Sequence, residues 1–180
     1  MFVLGIDPGL SRCGYACIEA GARAARAQAR AIGVIRTQST APLPERLADL
    51  QAELRALMVE TRPTVVSVER VFFQVNVRTA MAVGQASGLA MAEAHAAGAE
   101  VVQYTPTQVK QAVAGDGRAD KDQVGRMVAT LLGLAAVPRP ADAADAAALA
   151  LCHLAHAPMQ RVVRTVGSRG GPTVRSGVRR

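Results

Sequence analysis

No tryptophan occurs in these 180 residues, and two tyrosines and three phenylalanines complete the aromatic set, so the neighbouring pair Phe72 and Phe73 stands out. Cysteine is equally scarce. Cys13, Cys17 and Cys152 are too few, and odd in number, for a disulfide framework; with three scattered histidines they show no zinc-ligand spacing and read as reduced core thiols. No apolar run approaches the roughly 20 residues that span a bilayer, and the opening Met1-Phe-Val-Leu-Gly-Ile-Asp7 has no basic segment or cleavage site. Neither export nor membrane insertion is expected, and the cytoplasm is the expected compartment. Acid is missing after residue 157, where six arginines (161, 164, 169, 175, 179 and 180) fall. Setting those six aside takes the net charge from +7 to +1 for residues 1–157. The Gly-, Ser- and Arg-rich end, 158–180, therefore reads as a flexible cationic tail, able to raise affinity for a phosphate backbone without choosing a sequence. Long linkers, internal repeats and a second domain are not apparent.

What is present is ordinary globular composition, 50% hydrophobic and 19% charged, enough for one domain with a sizeable core over residues 1–157. Residues 2–6 read as a short apolar strand closed by the turn Asp7-Pro8-Gly9, which leaves Asp7 at a strand end. Residues 13–18 and 27–35 read as two further strands. The second rests on the alternation of Arg26, Gln28 and Arg30 in a stretch that its alanines would also suit to helix. Residues 44–58 are amphipathic, with Leu47, Leu50, Leu54 and Leu57 on one face and Pro44 suited to the first turn. Thr64-Val-Val-Ser-Val68 is a β-branched buried strand that delivers Glu69 at its carboxyl end, as the first strand delivers Asp7. In the helix over 77–97, Ala80, Gly84, Gly88 and Ala92 form a small-residue stripe that lets another helix or the sheet approach, and a candidate dimer contact. Residues 100–104 are the last strand. Capping boxes at Thr105 with Gln108 and at Asp120 with Gln123 start helices to about Val113 and to Leu134, and an alanine-rich helix over 141–157 closes the domain. The order β-β-β-α-β-α-β-α-α-α predicts an α/β fold. Its sheet is five-stranded and mixed, three antiparallel strands plus two parallel ones beside the first, flanked by helices.

Four carboxylates, Asp7, Glu69, Asp142 and Asp145, stand where the chain passes between hydrophobic and polar sequence, and none has an obvious helical salt-bridge partner. Parallel strands would bring Asp7 and Glu69 to one rim, while Asp142 and Asp145, three apart, share a face of the last helix. Three of them have a bland reading taken singly: Asp7 as an Asx-turn, Glu69 as a solvated strand end, Asp142 as a partner for the helix dipole. Asp145 resists one, because an acid facing the core from an otherwise uncharged Ala and Leu helix is costly without a cation. Carboxylates crowded at the rim of an apolar core repel one another, and a fold tolerates them best where divalent cations sit between them. A metal site is the expectation. His153 and His156, near the expected helix end, suit an interaction with its carboxyl terminus better than a metal.

Four stretches carry a likeness: Gly5-Ile-Asp-Pro-Gly-Leu-Ser-Arg-Cys-Gly-Tyr15, Val68-Glu-Arg-Val-Phe-Phe-Gln-Val-Asn76, Tyr104-Thr-Pro-Thr-Gln-Val-Lys-Gln-Ala-Val113 and Ala141-Asp-Ala-Ala-Asp-Ala146. In order and spacing they resemble the motifs of the RuvC family of Holliday junction resolvases, in the RNase H-like superfamily, over residues 1 to about 157. The basic tail lies outside that motif set. The resemblance implies an RNase H-like fold and a homodimer that cuts two like-polarity strands of a four-way DNA junction in recombination and repair. The ends left are 5′-phosphate and 3′-hydroxyl, ready for a ligase, and the family works beside a branch-migration motor. The catalytic, metal-ligating acids map onto Asp7, Glu69, Asp142 and Asp145. Two hard cations about 4 Å apart, magnesium or manganese, would activate water and stabilise the leaving 3′-oxygen; zinc, which prefers nitrogen and sulfur ligands, fits poorly.

The same resemblance places Lys110 and Lys121 near the scissile phosphate, Lys121 with a catalytic role, and Phe72 against unpaired bases near the crossover. Phe73, Asn76, Arg78 and Arg118 complete the implied DNA interface. Without it both lysines read as solvated surface residues, although Lys121 carries a signal of its own: a cation in a helix's first turn is disfavoured by the dipole unless an anion lies nearby. Of Phe72 and Phe73, one is expected to pack inward and one outward, where a stacked base contributes about 1–3 kcal/mol. Three other readings compete. A nucleotide-binding domain of the actin and sugar-kinase superfamily also opens on a strand, an Asp and a glycine turn, but needs a second lobe and phosphate loops for which 180 residues leave no room. A non-catalytic junction-binding protein would keep the arginine tail and have no use for Glu69 and Asp145. An RNase H-like nuclease acting on a different nucleic acid is the nearer alternative.

Overall fold

The computed structural model describes residues 1–21, 27–70 and 77–167, without side-chain detail at 77–79 and 158–167. Phe72, Phe73, Asn76, the Arg78 side chain and the chain from 168 onward thus lie outside the described residues. A meander of β1 (Phe2–Asp7), β2 (Arg12–Glu19) and β3 (Gln28–Arg36) is followed by α1 (Leu43–Thr61), β4 (Val65–Glu69), α2 (Val77–Ala96) and β5 (Glu100–Tyr104). Three helices, α3 (Pro106–Ala114), α4 (Lys121–Leu132) and α5 (Ala141–Gly167), complete the described chain. The sheet order is β3-β2-β1-β4-β5, antiparallel across β3-β2-β1 and parallel across β1-β4-β5, as the element order predicts.

Successive side chains of a strand face opposite sides, and this alternation divides the core into two. Val3 and Val65 join Ala16, Ile18, Tyr104 and the buried alanines of α5 on one face. Leu4, Ile6, Val66 and Val68 join Leu50 and Leu54 of α1 and Ala86, Ala90 and Ala94 of α2 on the other. The sheet is the middle layer of three. By the same period of two, residues 5 and 7 of β1 and 67 and 69 of β4 face α5, and the Ser67 hydroxyl donates to the Leu149 carbonyl at 3.0 Å.

α5 crosses β1 and β2 at two glycines. A Cβ on Gly5 would lie 2.0 Å from the Ala146 carbonyl oxygen, and one on Gly14 would lie 2.0 Å from the Asp142 carbonyl oxygen. Hydrogen at both positions, opposite a helix whose inward residues Ala143, Ala146, Ala147 and Ala150 are fully buried, lets backbone approach backbone. Both capping boxes form, at Thr105 with Gln108 and at Asp120 with Gln123.

Three sequence expectations need correction. The small-residue stripe of α2 is not the face that meets the sheet: Ala86, Ala90 and Ala94 are buried, whereas a Cβ on Gly84 or Gly88 would meet nothing within 4 Å. α4 ends two residues earlier than expected, where Gly133 takes the left-handed conformation at φ 66°. α5 runs through Pro158 to Gly167 rather than stopping at 157, because a proline removes one N–H donor without forbidding the turns on either side.

Candidate active site

β1 and β4 end side by side. Ile6 pairs with Val68, so the next residues, Asp7 and Glu69, stand on adjacent strand ends and, by alternation, on the α5 face. Asp7 also pairs with Gly14 of β2, the glycine over which α5 begins. Asp142 and Asp145, in the first turns of that helix, are thereby carried to the same rim. Helix α4 begins opposite them with Lys121, capped by Asp120.

A cavity of about 170 Å³ opens where these elements meet, lined by Asp7, Glu69, Asp145, Lys110 and Lys121 together with apolar Val124 and Leu149. Burial pushes the Asp7 carboxyl up to about 7, and the charges of Glu69, Asp145 and Asp142 push the same way against Lys121. Glu69 is also raised, by burial first and then by Asp145. Negative charge is concentrated beyond what the nearby lysine neutralises.

Lys121 Nζ donates to Asp145 Oδ2 at 3.0 Å. That hydrogen bond and the Asp145 charge hold the ammonium above its ordinary value, so Asp145 is the anion that a cation in the first turn of α4 requires. Asp142 does not line the cavity. Its Oδ2 lies 3.3 Å from Arg12 Nε, while its charge still reaches Asp7. Sequence reasoning does not single out Arg12, although it is the cation at the start of the strand antiparallel to the one that bears Asp7. Arg118 is exposed on the loop before α4 and lines no part of the cavity; its backbone N–H donates to Asp116 Oδ1 at 2.9 Å.

Three of the four acids expected at one pocket line it, and the fourth is held beside it by Arg12. Among the described residues, no three His, Cys, Asp or Glu side chains are gathered into a cage around a single point. The donor chemistry still fits hard cations: the convergent acids offer carboxylate oxygen, with no thiolate or imidazole among them, and their mutual repulsion adds to the burial that raises Asp7. Asp145 and Asp142 would exchange Lys121 and Arg12 for the metal.

The histidines take other roles than expected, because α5 does not end near them. His153 is buried, with Nδ1 3.0 Å from the Tyr104 hydroxyl, and His156 Nδ1 donates to the Cys152 carbonyl at 2.8 Å within the helix. All three cysteines are free and buried, and burial pushes Cys13 and Cys152 up to about 12, as inert core thiols require. No helix among the described residues is long and apolar enough to cross a membrane.

The family model of the crossover junction endodeoxyribonuclease RuvC matches residues 3–153. The protein of that name from Frankia casuarinae is 49% identical over 173 residues, covering 96% of this chain and 99% of its own. The solved structure of Thermus thermophilus RuvC superposes with a TM-score of 0.82 at 39% identity, covering 89% of this chain and 97% of that one. The structure of the same bacterium's RuvC in complex with Holliday junction substrate gives 0.84 at 39% identity, covering 89% and 96%. A likeness that spans nearly the whole chain in both sequence and backbone leaves one reading of kinship: the chain belongs to the RuvC family of crossover junction endodeoxyribonucleases.

Proposed function

We propose that this chain resolves Holliday junctions by paired, metal-dependent incisions in strands of like polarity, leaving ligatable 5′-phosphate and 3′-hydroxyl ends. The observation that carries the reading is the meeting of Asp7, Glu69 and Asp145 with Lys110 and Lys121 on one cavity: acids able to hold hard cations beside lysines able to hold a phosphate. When bound by Asp7, Glu69, Asp142 and Asp145, two magnesium ions, or manganese in their place, supply an activated water and neutralise the departing 3′-oxygen. The residues themselves position and balance charge. Asp7 and Glu69 stand on the ends of paired strands, so their spacing is fixed by the sheet rather than by a loop. Lys121, 77% exposed at its side chain, can turn from Asp145 to a phosphate oxygen once a cation takes over that carboxylate. Lys110, on the same cavity, is the second charge available to the developing transition state.

The reading extends to partners. Two incisions in one junction call for two sites, and the outward stripe of α2, with Gly84 and Gly88 open and Met81 60% exposed, supports a homodimer. Phe72, Phe73, Asn76 and Arg78 follow Glu69 closely in sequence and are assigned to unpaired bases and backbone at the crossover, with Arg118 as an outer DNA ligand. The nuclease domain is assigned to 1–157 and non-specific phosphate affinity to 158–180, in a cytoplasmic enzyme that works beside a branch-migration motor.

Incubation with a synthetic four-way junction and a linear duplex of the same sequence, with and without magnesium, tests the whole. Symmetric magnesium-dependent nicks in the junction alone are expected. Tight junction binding without incision would instead mark a non-catalytic binding protein, and equal cutting of the linear duplex a nuclease of different substrate choice.

A further inference from the structure

A second cavity, of about 180 Å³, lies against the first. Its walls are the start of α4, the segment before α5 and the start of α5, and it shares Lys121 and Asp145 with the carboxylate cavity. The ion pair between those two residues is therefore a partition with space on both sides. Beyond the partition the charged lining changes sign: Arg126 of α4 and Arg139 of the preceding segment face one acid, Asp122. Among the described residues neither arginine has an acidic partner within ion-pairing distance, although Arg12, Arg30 and Arg55 each do. The cavity is also built rather than incidental. A Cβ on Gly125 would lie 2.9 Å from Val137 Cγ1, so the segment carrying Arg139 packs directly on the helix carrying Arg126.

We infer that this second cavity is a phosphate subsite that takes a backbone phosphate of the cleaved strand next to the scissile one, with Arg126 and Arg139 as its ligands. The inference rests on the nuclease reading above. A strand that lays one phosphate over the acids must carry its neighbours to one side or the other. On this side the protein offers two guanidiniums without acidic partners among the described residues. They suit phosphate oxygens better than ammonium groups do, because their donors form a planar fork. Fixing a second phosphate holds the strand in register and prevents the scissile bond from sliding past the acids, which is a positioning role and not a chemical one.

The test uses the full-length chain and a four-way junction. In Arg126→Gln/Arg139→Gln, the slope of log affinity against log salt should fall by about 0.9, the value for one phosphate no longer neutralised. The double lysine variant, which keeps the charge, should retain most of the slope. Single methylphosphonates placed at the two positions on either side of the scissile phosphate locate the subsite. One of them should weaken binding by the wild type and have no further effect on the double glutamine variant. The inference is overturned if the slope is unchanged, or if every methylphosphonate weakens wild type and variant equally. A wild type that never nicks the junction in magnesium would overturn the nuclease reading instead, so the two failures are distinguishable.

Discussion

Burial first, and then the neighbouring carboxylates, push the Asp7 carboxyl from an ordinary 3.8 up to about 7. Incision should therefore fall as pH drops through about 7. Divalent cations compete with that proton, so the midpoint should move down as magnesium is raised; single-turnover rates at several magnesium concentrations check this, and an immovable midpoint counts against Asp7 as a ligand. Stability runs the other way. The folded state keeps a proton that the unfolded chain loses near pH 4, so folding is progressively penalised as pH rises from about 4 to about 7, and fully above it. Asp7→Asn removes the penalty. Without divalent cations it should melt above the wild type at pH 8, by about 2 kcal/mol or roughly 4–8 °C after allowing for solvent screening, and the gap should close near pH 4. The same variant should lose all measurable cleavage and keep junction affinity within about threefold, because the phosphate ligands, lysine and arginine, survive. The acids are legible from sequence because each interrupts apolar surroundings where charge is costly. Arg12 is not, because an exposed arginine at a strand start has the look of any solvated cation, and Asp142, its partner, lies at the far end of the domain.

Among the elements, α5 fixes the site and two glycines fix α5. Gly14→Ala should cost stability at the upper end of the about 1–3 kcal/mol typical of overpacking, because its methyl would meet the backbone carbonyl of Asp142 rather than a side chain free to swing away. Incision should drop about 100-fold in protein that still folds, as Asp142 and Asp145 shift together. Thermal melts and rates at saturating magnesium test the pair of effects. Strands are legible because alternation and β-branching coincide in β1 and β4. The orientation of α2 is not: Ala86, Ala90 and Ala94 repeat at the same four-residue spacing as Gly84, Gly88 and Ala92, and small side chains give no hydrophobic contrast by which to choose. The end of α5 is hidden for a related reason, since Pro158 and the arginines after it resemble a stop signal that the helix backbone does not obey.

Considered whole, the molecule separates a nearly neutral body from a cationic end, +1 against six arginines. Removing 168–180 deletes four of those arginines (169, 175, 179 and 180) beyond the last residue of α5. Junction binding should weaken, more at about 50 mM salt than at 200 mM, while the rate of bound enzyme stays the same; fluorescence anisotropy across salt and single-turnover cleavage separate the two. The separation of charge is legible from composition alone, whereas the joining of Asp7, Glu69 and Asp145 depends on topology. That joining has a consequence for the living cell. The first two acids emerge from the ribosome early and the third only with α5, over whose docking the glycines of β1 and β2 preside. A product terminated before that helix lacks both Asp142 and Asp145, and leaves Asp7 and Glu69 on strand ends that nothing from α5 covers.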